Sequence, residues 1–177
     1  MRRWFMPVNR DERLPQCAAR GNLLVCESVL NATQLALQAR DGNGDPCENL
    51  VLWAGRYEGS DSLVVAAIVP RANHALGSVR LCESDYGAAA LSARSLRLGL
   101  IGQVHTHPGQ DTRHSSGDDT LVIMPRENMF SLVVAAYGHG GMRPEDGAGL
   151  HQFQDGRWVQ IAPAADVMRV IPSAIVL

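Results

Sequence analysis

The chain has 177 residues, 46% of them apolar and 19% charged, and a formal net charge of −2. That is room for one domain with a real core, and the composition excludes a disordered chain. The near-neutral balance leaves no basic footprint for nucleic acid, and no apolar run reaches the length that spans a bilayer.

The first segment, MRRWFMPVNRDERLP, opens with two arginines. Pro7, Asn9, Arg10, Asp11 and Glu12 interrupt the apolar stretch that a secretory leader needs, so a cytoplasmic location is expected. Residues 1–20 read as an N-terminal arm, on the surface or loosely docked, and residues 21–177 as the domain. Cys17, Cys26, Cys47 and Cys82 form no C-x-x-C pair, which speaks against a zinc ribbon and for free thiols in a reducing compartment.

Residues 22–28 suit a short strand, and 29–40 suit a helix, with Leu30, Leu35 and Leu37 among small and polar residues. The run DGNGDP at 41–46 is loop chemistry. Residues 49–56 and 62–70 read as a hairpin around YEGSD, and 71–82 as irregular. Ser84 or Asp85 can cap a helix running to Leu96. A strand over 98–108 stops at Pro108, and a polar loop fills 109–117. A helix is then expected from Asp118 to Met124, ended by Pro125. Residues 131–138 form a buried strand, and Asp155-Gly156 makes a tight primed turn in a hairpin over 149–161. This mixed order of hairpins, strands and helices points to an α/β sandwich with a mixed sheet.

The chemistry concentrates in Gln103-Val104-His105-Thr106-His107-Pro108 and Ser115-Ser116-Gly117-Asp118. Strand side chains alternate, so His105 and His107 project from one face, close enough to share an ion. Asp118, eleven residues beyond His107, stands at an expected helix start, where a carboxylate is favoured. Two imidazoles and one carboxylate make a catalytic zinc set with a fourth position open to water, whose pKa zinc lowers to about 7. A carboxylate outside the ligand set must act as base, and Glu48, at the mouth of the strand LVLWAG, is the candidate. His114 reads as a solvated loop histidine, and His74, His139 and His151 as structural or exposed.

The run His105-Thr106-His107-Pro108, six residues, then Ser115-x-x-Asp118 resembles the signature of the JAB/MPN+ (JAMM) zinc metalloprotease family in its stand-alone prokaryotic form. The upstream stretch Glu48-Asn49-Leu50-Val51-Leu52-Trp53-Ala54-Gly55 resembles that family's glutamate-bearing strand, with Val51 replacing the inner glycine and Trp53 the leucine. The resemblance covers residues 22–162. It implies a cytidine-deaminase-like mixed-sheet sandwich with flanking helices. It also implies one Zn2+ held by His105, His107 and Asp118, with water as fourth ligand. Glu48 would shuttle the proton, and Ser115 would donate to the oxyanion or fix the water.

Other zinc patterns are missing. There is no H-E-x-x-H and no deaminase P-C-x-x-C, Gly109-Gln110 stands where a metallo-β-lactamase-like site needs Asp and His, and the chain is too short for a barrel amidohydrolase. The resemblance implies an isopeptidase acting on a ubiquitin-like protein or its conjugates, with activating- or conjugating-enzyme-like partners. A protease that trims a sulfur-carrier protein or a small peptide, and a non-catalytic MPN scaffold, stand beside it.

Overall fold

The structure, a computed structural model, describes residues 13–122 and 124–174. In chain order come β1 (Gln16–Cys17), β2 (Leu23–Cys26), α1 (Glu27–Leu37), β3 (Leu50–Glu58), β4 (Asp61–Ile68), β5 (Asn73–Ala75), β6 (Ser78–Arg80) and α2 (Glu83–Ser95). They are followed by β7 (Gly99–Thr106), β8 (Phe130–Val134), β9 (Gly149–Gln154), β10 (Arg157–Ile161) and β11 (Met168–Ile171). Nine strands form one mixed sheet in the order β1-β10-β9-β8-β7-β3-β4-β2-β11, and β5 and β6 form a separate hairpin. Among the described residues the fold is a mixed α/β one, with two α-helices.

The alternation of side chains along β3 explains how the helices are arranged. Val51 and Trp53 join Val29, Leu30 and Leu37 of α1 in the larger core. Leu52 and Ala54 join Ala89 and Ala93 of α2. The helices therefore cover opposite faces of a strand buried on both sides, which accounts for its nearly unbroken apolar run. The Trp53 indole N–H donates to Thr33 Oγ1 at 2.9 Å and ties α1 to this strand.

Several expected elements differ. The expected helix over 118–124 is a single 3-10 turn, Asp118–Thr120, because one turn cannot pay its nucleation cost before Pro125. The irregular stretch 71–82 contains the β5–β6 hairpin. The strand expected over 131–138 ends at Val134, where Ala136, Tyr137 and Gly138 all take left-handed φ values. The α2 N-cap is Cys82 rather than Ser84 or Asp85, with Glu83 and Asp85 in the first turn complementing the helix dipole. Asp155 and Gly156 have φ 51° and 78°, as a primed turn requires.

Residues 13–20 of the N-terminal arm run along β9 and β10. β1 pairs in parallel with β10, and Gln152 and Gln154 of β9 donate from their side-chain amides to the carbonyls of Arg20 and Ala18. The rest of the arm, 1–12, lies outside the described residues, as do Ile123 and 175–177 of the tail. No helix among the described residues is long and apolar enough to cross a membrane.

Candidate metal centre

β7 pairs with β3 antiparallel, Leu50 opposite His105. The Thr106 N–H donates to the Asn49 carbonyl at 3.1 Å, and the Asn49 N–H donates to Thr106 Oγ1 at 2.9 Å. Continued by one residue, this register sets Glu48 across from His107 and on the face of Leu50 and His105. Asn49 secures the corner, its side-chain amide donating to the carbonyls of Leu37 and Ala39 at 3.0 and 2.8 Å.

The Glu48 backbone is held by the β5–β6 hairpin. Its N–H donates to the Ala75 carbonyl at 2.9 Å, and its own carbonyl accepts from His74 Nδ1 at 2.9 Å. Glu48, Ser115 and Asp118 line one cavity of about 430 Å3, whose far wall is Gly77–Leu81. That volume falls in the range of small ligand sites.

His105, His107 and Asp118 are all buried, and one ligand atom from each lies within 4.8 Å of the others. His105 Nε2 is 3.3 Å from Asp118 Oδ1, and His107 Nε2 is 3.1 Å from Asp118 Oδ2. Tetrahedral zinc, with bonds of about 2.0–2.2 Å, sets its donor atoms about 3.3–3.6 Å apart, and the two nitrogen–oxygen separations lie near that range. His107 Nδ1 sits 2.7 Å from the Asp111 carbonyl, which can only accept, so Nδ1 carries a proton; Nε2, hydrogen-bonded to Asp118 Oδ2 at 3.1 Å, is the nitrogen left for a cation once its proton is lost. Both ring nitrogens of His105 are buried without a hydrogen-bond partner among the described residues, Nε2 despite its closeness to Asp118. A buried, unsatisfied imidazole nitrogen beside a carboxylate and a second imidazole makes up the donor set of a cation site.

The charges agree. Burial alone would push the Asp118 carboxyl up, but His105 and His107 outweigh it and hold the group far below the usual carboxylate range. Burial lowers His105, and Asp118 restores only part of that loss. For His107 burial also works downward, yet Asp118 and the Asp111 carbonyl leave it raised, with Glu48 adding to the effect. Asp118 is aimed by the chain around it: the Ser115 N–H donates to Asp118 Oδ2 at 2.6 Å, and Ser115 Oγ accepts from the Asp118 N–H at 3.3 Å. The serine hydroxyl proton remains free to donate toward the cavity.

The structure thus brings Glu48, His105, His107, Ser115 and Asp118 to one place. Sequence reasoning missed His114, which is buried rather than solvated, with Asp119 on Nδ1 and Ser131 on Nε2. The signal was the polar pair Gln103 and Ser131 inside otherwise apolar strands, side chains that need partners once buried. His151 is buried, whereas His139 is exposed.

No family model matches the chain, and no curated protein matches it. Solved structures do. A Desulfitobacterium hafniense protein determined in solution is 14% identical, with 87% of this chain aligned to 94% of that one at a TM-score of 0.58. A JAB1/MPN domain protein from Archaeoglobus fulgidus is 15% identical, with 84% of this chain aligned to 96% of that one at a TM-score of 0.45. At such identities the likeness is one of fold, and the first of the two carries it.

Proposed function

We propose that this chain is a zinc-dependent hydrolase of the JAMM type, with the sandwich fold of MPN domains, that cleaves a peptide or isopeptide bond after the C-terminal tail of a ubiquitin-like protein. One observation carries the reading: the His105 ring is buried without a hydrogen-bond partner, inside a buried His-His-Asp set whose ligand atoms lie within 4.8 Å of one another. The H-x-H-P-x(6)-S-x-x-D spacing supports it.

His105, His107 and Asp118 would hold the ion. Zinc would supply a water that is acidic enough to ionise at neutral pH, and a Lewis acid for the scissile carbonyl. Glu48, outside the ligand set and across the register from His107, takes the proton of the attacking water and passes it to the leaving amine. Ser115 donates its hydroxyl proton to the oxyanion that develops on the substrate, a contribution of about 3–4 kcal/mol for a preorganised donor in a dry site. The extended tail lies in the cavity against Gly77–Leu81, where the edge of β6 offers main-chain hydrogen bonds.

The test pairs metal content with turnover. The purified protein with zinc should release a ubiquitin-like fusion or conjugate, and a sulfur-carrier substrate run in parallel assigns the tail it prefers. Glu48→Ala should keep its zinc and lose activity by about 10²–10⁴-fold. Full activity in that variant removes Glu48 from the mechanism, and an intact protein that takes up no zinc removes the hydrolase.

A further inference from the structure

The polar groups beneath the metal centre form a row. β7, β8 and β9 place Gln103, Ser131 and His151 side by side in register, each of them buried. Three adjacent polar side chains inside a sheet are costly unless they hydrogen-bond. Here the partner comes from outside the sheet. The Gln103 side-chain amide donates to Ser131 Oγ at 3.0 Å, and His114 Nε2 lies 3.0 Å from the same oxygen. His114 Nδ1 is 2.9 Å from Asp119 Oδ1, and the His114 backbone N–H donates to His151 Nε2 at 3.3 Å. The donors run one way: Ser131 gives its proton to His114 Nε2, and His114 Nδ1–H gives to Asp119.

An aspartate, a histidine and a serine in this order have the connectivity of a nucleophilic relay, but Ser131 is wholly buried, so no substrate reaches its oxygen. The arrangement is a clasp instead. His114 precedes Ser115 and Asp119 follows Asp118, so their mutual bond closes a ring around the segment that carries both site residues. The His114 ring is also wedged in place, edge-on to the His105 ring with centroids 5.7 Å apart, and 4.7 Å from His151.

We propose that His114, clasped between Asp119 and Ser131, is a positioning residue for the metal centre. It locks the Ser115–Asp118 segment onto the polar row of the sheet and thereby sets the Asp118 carboxylate against His105 and His107. This rests on the metal reading above. Residues that orient metal ligands from behind typically change affinity by about 10–100-fold when removed.

The experiment uses the full chain, read by zinc competition against a chromophoric chelator and by the visible absorption of the cobalt-substituted protein. The Asp119 side chain is 41% exposed, so it can be changed without opening the core. Asp119→Ala should weaken zinc by about 10–100-fold and alter the cobalt band. Asp119→Asn, whose amide oxygen still accepts from His114 Nδ1–H, should restore both. A role confined to stability would lower the unfolding temperature and leave the cobalt band alone, and that result overturns the proposal. If Asp119→Ala does not fold, Ser131→Ala removes the other end of the clasp, and unchanged zinc affinity there overturns it equally. If the wild-type protein binds neither metal, the hydrolase reading fails and the clasp fails with it; if the wild type binds and Asp119→Ala binds alike, the clasp fails alone.

Discussion

His105 in β7 and His107 just past its end stand two residues apart, yet their surroundings move them in opposite directions. His105 has lost water on every side and favours the neutral ring. His107 is also desolvated, but Asp118 and a backbone carbonyl hold its proton more tightly than usual. In the metal-free protein His107 therefore stays protonated to a pH above the ordinary histidine value of about 6.5. Zinc must displace that proton, so affinity falls as pH falls, and the loss begins on the alkaline side of 6.5. Isothermal titration across pH 5.5–8.5 reads this as proton release on binding; an affinity flat down to pH 6 would contradict it. The closeness of His105 and His107 was legible because strand alternation is a local property, and that of Glu48 because it precedes the strand that pairs with theirs. His114 was not, since a histidine among loop residues carries no local mark of burial; its environment comes from β8 and β9, distant in sequence.

At the scale of elements, the loop from Gly109 to Gly117 reaches the sheet at one tight point. A Cβ on Gly149 would meet the Thr112 carbonyl oxygen at 1.9 Å, so only glycine lets this loop lie against β9. Gly149→Ala should push the loop outward, destabilise the fold by about 2–4 kcal/mol and weaken zinc binding. Gly99→Ala, where the added methyl meets nothing within 4 Å, should stay within about 0.5 kcal/mol of wild type. Urea unfolding of the two variants checks both values, and equal effects would refute the contact. The long strands and both α-helices were readable because alternation and helical spacing are strong signals over many residues. The β5–β6 hairpin was not: its strands are three residues each and mostly exposed, and they gain their order from Glu48 and Tyr137 rather than from their own pattern.

Over the whole molecule, the candidate ligands come from β7, from the residue just past it and from the loop ahead of β8, so an ion bound there would stabilise the native state as a unit. Zinc at a hundredfold its dissociation constant adds about 2.7 kcal/mol, a rise of roughly 5–10 °C in melting temperature for a chain of this length. Differential scanning calorimetry with zinc and with chelator measures the difference, and identical traces would contradict a structural stake in the metal. The hairpin that braces Glu48 has a consequence of its own. Ala75 and His74 grip the glutamate's backbone, Leu76 is tethered to the Tyr137 hydroxyl at 2.9 Å, and the next residues along, Gly77–Leu81, wall the cavity. The cavity wall and the Glu48 backbone thus hang on a single lever. On the proposed reading, a partner that shifts this lever would change how Glu48 meets the substrate without touching the metal ligands.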